Sequence, residues 1–139
     1  MRIVIDTGVV VSAVLLPRSV PRQAFDASLE RGTVLISAAT IAELDEVLRR
    51  TKFDRYVREE FRLEFLAGLV REAEVVEIVE TIRHCRDVKD DKFLELAASG
   101  NATHVISGDA DLLVLNPFRG IPILTPQSFA STLGGLTSG

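Results

Sequence analysis

Tryptophan is absent from this 139-residue chain, and tyrosine, cysteine and methionine occur once each. With so few aromatic rings of that kind, the sequence offers no platform on which successive nucleic-acid bases would stack. The single cysteine, Cys85, excludes an intrachain disulfide and suits a reducing compartment. Two histidines, His84 and His104, read as surface or loop residues, so any metal centre must be built from oxygen ligands. Excess positive charge is missing as well: 16 Lys and Arg stand against 20 Asp and Glu, a net charge of −4. Attraction to nucleic acid must therefore be local. No apolar run reaches the roughly 20 residues needed to cross a bilayer. The N-terminal stretch "RIVIDTGVVVSAVLLP" (2–17) is broken by Asp6 and lacks an A-x-A-like cleavage pattern. It reads neither as a secretion signal nor as an anchor, and a cytoplasmic protein without membrane contact is expected.

What is present is the composition of a soluble globular domain, 47% hydrophobic and 26% charged. Residues 1–133 read as one domain and 134–139 as a flexible C-terminal tail. Neither repeats nor low-complexity tracts divide the chain. Candidate strands are "RIVID" (2–6), "VLIS" (34–37), "VVEIV" (75–79), "HVIS" (104–107) and "IPIL" (121–124). Helical patterns alternate with them. One spans about 21–31 and stops at Gly32; a second starts at Thr40, with Ile41, Leu44 and Leu48 on one face. A third opens at "KDDKF", and a last one has Thr125 as N-cap and Pro126 at the first helical position. The segment 53–72 is helical without a clean stripe, as one helix or two. Uniformly apolar strands alternating with helices imply a three-layer α/β/α sandwich around a parallel five-stranded sheet. Right-handed crossovers bring the strands' C-terminal ends to one edge, where such folds bind ligands.

Acids gather at that edge. Asp6 ends the first strand, Glu43 lies in the first turn after the second, Asp90 and Asp91 open a helix, and Asp109 and Asp111 follow the fourth strand. Most have an ordinary structural role open to them. Thr40 and Glu43 fit a capping box, Asp90 and Asp91 suit a helix N-terminus, and Asp109 and Asp111 suit a turn beside Gly108. Asp6 has no such role visible in the sequence, and burying a lone ionised Asp costs several kcal/mol. Carboxylates crowded together repel, and either stay protonated or hold a cation. An all-oxygen set suits a hard ion, Mg²⁺ or Mn²⁺.

The runs "IVIDTGVVVSA", "SAATIAEL", "CRDVKDDKFLELAASGNATHVISGDADLL" and "ILTPQSF" resemble, in order and spacing, the PIN-domain family. The resemblance covers nearly the whole chain and points to the branch of VapC-like toxins of toxin–antitoxin pairs. It implies the five-stranded α/β/α fold and an Mg²⁺- or Mn²⁺-dependent ribonuclease using one or two ions. It places Asp6, Glu43, Asp91 and Asp109 as catalytic and metal-holding residues, with Asp111 as a substitute for the last. Asp90 and Asp91 remain undecided on physical grounds. Thr7 and Ser107 match supporting hydroxyls. It further implies a cognate antitoxin and a homodimer. Many relatives read Asp-Thr-Asn where this chain reads Asp-Thr-Gly, so Gly8 removes a supporting group beside Asp6.

The chemistry expected is hydrolysis of RNA phosphodiesters by a metal-activated water. Two divalent ions would balance the four acids, so phosphate could enter. A phosphate track is expected from "RRTKFDRYVREEFR" (49–62), with Arg49, Arg50, Lys52, Arg55, Arg58 and Arg62; the alternative is a solvated face laced with ion pairs. Three other functions compete. A receiver-type Mg-binding phospho-switch would need paired acids after the first strand and a late lysine. A haloacid-dehalogenase-type phosphatase would need an acid at position 8. A PIN-like module that binds without cutting is compatible with Gly8.

Overall fold

In the computed structural model of the protein, which describes residues 1–134, alternation along the strands sets up the layering. Of the expected tail 134–139, all but Gly134 lies outside the described residues. The strands are β1 (Arg2–Ile5), β2 (Thr33–Ile36), β3 (Glu74–Val75), β4 (His104–Ile106) and β5 (Ile123–Leu124). The helices are α1 (Thr7–Leu15), α2 (Val20–Arg31), α3 (Ala38–Leu48), α4 (Glu59–Glu72), α5 (Asp91–Ser99), α6 (Ala110–Leu113) and α7 (Pro126–Thr132). Ile3, Ile5, Val34 and Ile106 enter one core, with residues of α1, α2, α3, α4 and α7. Their neighbours Val4, Leu35 and Val105 point the other way, into a second core with α5 and Leu112. This is the period-two geometry of a strand buried on both faces, and it makes the expected three-layer α/β/α sandwich.

The sheet has five strands in the order β3-β2-β1-β4-β5, and every pairing is parallel. From β1 the chain moves outward through β2 to β3, then returns to the other side of β1 for β4 and β5. The order therefore reverses between β1 and β4, the place where open α/β sheets leave a crevice at the strands' C-terminal ends.

The structure adds a helix after β1 and corrects several local expectations. The Val-rich stretch after Asp6 is helix α1, with Val9, Val10, Val11, Ala13 and Val14 all buried. Gly32 does end α2, but its φ is −152°, and a side chain there would come 2.7 Å from the Met1 carbonyl oxygen. Close approach, not left-handed backbone, demands glycine. Helix α3 begins two residues before Thr40, because Ser37 is its N-cap; Ser37 and Thr40 cap each other's backbone, and Glu43 takes no part in the box. The 53–72 segment resolves into a short 3₁₀ turn (Thr51–Phe53) followed by the single helix α4. Of the expected strand 75–79, β3 keeps only Val75 and adds Glu74 before it. Beyond it the chain lies as an irregular strap along α5, its Val79 and Ile82 amides donating to Ser99 Oγ (3.1 Å) and Glu95 Oε2 (2.9 Å).

Candidate metal centre

At the reversal point, β1 and β4 end side by side, and the Asp6 amide donates to the Ile106 carbonyl at 3.0 Å. Asp6 is the N-cap of α1: its Oδ1 accepts from the Val9 amide at 2.8 Å. Its Oδ2 accepts from the Ser107 hydroxyl. These donors answer part of the cost of burying it, since 5% of Asp6 is exposed. Burial still wins and pushes its carboxyl above the ordinary value, against Ser107, Val9 and Gly108, which stabilise the anion, and with Asp109, which repels it.

Ser107 also sets the next acid. Its Oγ accepts from the Asp109 amide at 2.9 Å, and Asp109 in turn caps α6, accepting from the Asp111 amide at 2.9 Å. One hydroxyl thus spans the ends of both strands. Asp90, Asp109 and Asp111 each bring a carboxylate oxygen within 4.8 Å of the others. Asp90 is pushed up to about 6, first by burial and then by Asp109, Asp87 and Glu43. Asp6, Thr7, Glu43, Asp90, Asp109 and Phe93 line one open cleft of about 540 Å³. No basic residue lines it among the described residues.

Two acids are differently engaged. Asp91, 6% exposed, turns its Oδ1 to the backbone amides of His84 (3.0 Å) and Cys85 (2.7 Å). Burial opposes its ionisation, but the Cys85 and His84 donors prevail and hold it below the ordinary range. It is Asp90, not Asp91, that stands in the cleft with Asp109. Glu43 reaches the cleft but is ion-paired to Lys92, whose side chain is 19% exposed. That lysine carries no recognisable signal in the sequence beyond following two acids. The Cys85 thiol, pushed up to about 12 by burial and then by Asp91, is held in its protonated form.

The expected basic track does not join this cleft: none of its residues is among those lining it. Arg49 pairs with Asp45, Arg50 with Glu46 and Arg58 with Glu60, while Arg55 hydrogen-bonds the Tyr56 hydroxyl at 2.8 Å. Lys52 lies over the Phe53 ring, 5.2 Å from its centroid. Arg62 is wholly buried and donates to the carbonyls of Leu48, Val57 and Arg50 and to Asp54. It is a structural clamp, unavailable to phosphate.

The donor set fits a hard divalent cation. It is all oxygen, it comes from separate chain segments, and beside the effect of burial Asp109 adds to the proton affinity of both Asp6 and Asp90. The position of Gly8 also fits: a side chain there would meet Asp6 Oδ1 at 3.7 Å, ordinary contact distance. The residue that many PIN relatives carry as Asn is thus placed beside the buried carboxylate.

A PIN-domain family model matches residues 2–111, and the chain belongs to that family, whose members are typically nucleases. It is 29% identical over 117 residues to the uncharacterized protein MJ1680 of Methanocaldococcus jannaschii, covering 83% of this chain and 75% of that protein. Among solved structures, VapBC2 from Rickettsia felis, bound to a DNA fragment from their promoter, is similar with a TM-score of 0.55. There the identity is 16%, over 89% of this chain and 97% of that one. FitAcB from Neisseria gonorrhoeae gives a TM-score of 0.56 at 17% identity, over 90% and 98%. These likenesses establish a shared fold. The strand order also separates the chain from receiver domains, which follow 2-1-3-4-5. Family membership sets aside the dehalogenase-type reading.

Proposed function

We propose that this protein is a metal-dependent ribonuclease and the toxin of a toxin–antitoxin pair. The observation that carries the reading is the convergence of Asp6, Glu43, Asp90 and Asp109 on one cleft at the strand-order reversal of a PIN domain. Asp6, Asp90 and Asp109 would hold Mg²⁺ or Mn²⁺, with Asp111 within reach of the latter two. Asp91 acts here as a positioning residue, fixing the loop that carries Asp90 through the His84 and Cys85 amides. A divalent ion held by Asp6, Asp90 and Asp109 would supply an acidified water and a Lewis acid for the leaving oxygen. The remaining work falls to the chain. Ser107 orients Asp6 and seats the Asp109 amide, so two ligands share one support. Lys92 neutralises Glu43, lowering the negative charge that an incoming phosphate meets.

The antitoxin is inferred from the VapBC2 neighbour, and a homodimer from the family resemblance. The described residues include no helix long and apolar enough to cross a membrane; we place the protein in the cytoplasm, where its RNA substrate would be. A PIN module that binds without cutting is the second reading, favoured by Gly8 beside Asp6.

Calorimetric titration of Mn²⁺ into wild type and Asp6→Asn, each then incubated with total RNA, tests the proposal. Asn equals Asp as an N-cap, so the variant keeps its fold while losing metal binding and cleavage. An Asp6→Asn protein that still cuts RNA overturns the mechanism. Metal binding by wild type without any cleavage favours the second reading.

A further inference from the structure

A second groove, of about 450 Å³, lies between the strap residues 81–84 and the turn 117–119. Its polar lining is basic, with the guanidinium groups of Arg83 and Arg119 beside His84 and Thr81. Arg86 and Lys89 continue the same loop toward the cleft, and both are exposed. Among the described residues, Arg83, Arg86 and Lys89 enter no ion pair, unlike Arg49, Arg50 and Arg58.

The groove is fixed on both sides. Ile82 is buried, and its amide is held by Glu95. On the opposite wall Phe118 is buried, its ring centroid 6.1 Å from that of His84, and Arg119 makes a bidentate pair with Glu80 at 2.8 and 3.2 Å. Hydrogen bonds link the groove to the metal centre. The His84 and Cys85 amides bind the carboxylate of Asp91, the residue after cleft-lining Asp90.

We propose that this groove, continued by Arg86 and Lys89, carries the phosphate backbone of the nucleic acid whose scissile phosphate enters the acid cleft. The inference rests on the ribonuclease reading and gives it a cationic track on the loop that leads to Asp90, whereas none of residues 49–62 lines the cleft. A chain with net charge −4 can attract a polyanion only where cations are gathered and unmatched. An acidic protein would satisfy the same cations, but its path onward meets Asp90, Asp109 and Asp111. A phosphate ester is drawn to those acids once they hold a divalent ion. Contacts of this kind fix the register of the strand and read no sequence.

The test measures binding of a fluorescein-labelled single-stranded RNA by anisotropy against salt. Ca²⁺ replaces Mg²⁺ or Mn²⁺, and the probe's integrity is checked on a gel. Wild type is compared with Arg83→Gln/Arg86→Gln and with Arg55→Gln/Arg58→Gln; cleavage under Mn²⁺ is measured in parallel. Losing two phosphate contacts should reduce the slope of log K against log salt by about 1.4, at roughly 0.7 per contact for a single strand. KM should rise with kcat little changed, and the 55/58 variant should match wild type. An unchanged slope in the 83/86 variant of a protein that binds and cuts RNA overturns the track alone. Wild type that holds Mn²⁺ yet neither binds nor cuts RNA overturns the ribonuclease reading and the track with it.

Discussion

Asp90 and Asp91 are adjacent acids at the start of one helix, and their surroundings drive them in opposite directions. Asp90 faces Asp109 in the cleft and is pushed up to about 6, from an ordinary value of 3.8. The folded state therefore binds its proton more tightly than the unfolded state does. Stability contributed by the neutral carboxyl is lost as pH rises from about 4 to about 6. Asp91 is depressed by backbone donors, so its contribution is present above 3.8 and disappears only as pH falls through its lowered folded value. The two windows do not overlap. Asp90→Asn should then melt above wild type at pH 7 in metal-free buffer, and the difference should vanish below pH 4. The gain expected is about 1 kcal/mol or less, because the open cleft screens the repulsion. A melting difference that ignores pH would show that burial and the neighbouring acids do not raise the Asp90 carboxyl. None of this divergence is legible in "KDDKF", where the acids look equivalent; it arises because the strap returns the His84 and Cys85 amides to one carboxylate only. Asp6 was concealed differently. Its capping role could not be read without knowing that a helix follows it.

At the scale of elements, α1 and Arg62 show where pattern and packing part company. The run "GVVVSAVL" has little helical stripe because α1 is buried over most of its surface, and its valines favour strands in isolation. Tertiary burial overrides that preference. Arg62 illustrates the converse: a charge within a basic run reads as exposed, yet here it closes the connection between α3 and α4. Its guanidinium reaches three carbonyls: Leu48 at the end of α3 and Val57 just before α4, and Arg50, which also accepts from the Phe53 amide. Arg62→Met keeps the stem's packing but strands the Leu48 and Val57 acceptors, and should cost about 3 kcal/mol in urea unfolding. Arg62→Lys should recover only part of that loss, since an ammonium lacks the planar fork. A Met variant within about 0.5 kcal/mol of wild type, the range of ordinary surface substitutions, would return Arg62 to the surface class. The ends marked by special residues were legible: Thr125 with Pro126, and Gly32, stand where expected. The strap over 77–85 was not, because its amide hydrogen bonds go to side chains of α5 rather than to a strand.

For the whole molecule, the number and direction of strands could be read because each strand is a short apolar run and each crossover is helical. Their order in space could not, since no local pattern states that the chain returns past β1 after β3. That return is what sets Asp6 beside Asp109 and creates the centre. It also makes the cleft a place where the fold works against itself: acids from the ends of β1 and β4 and the start of α5 repel, and packing together with the hydrogen bonds of Val9 and Ser107 holds them in place. A divalent ion binding there reverses the sign of that contribution and links three segments of the chain. At a hundredfold excess over its dissociation constant, such a ligand adds about 2.7 kcal/mol to stability. For a domain of this size, at roughly 3 °C per kcal/mol, Mn²⁺ should raise the melting temperature by about 8 °C. The rise should follow metal concentration logarithmically and be largely lost in Asp6→Asn. A shift of equal size in that variant would place the ion elsewhere. An absent shift in wild type, with RNA still cleaved, would mean that substrate phosphate completes the site and that the acids alone hold the ion only weakly.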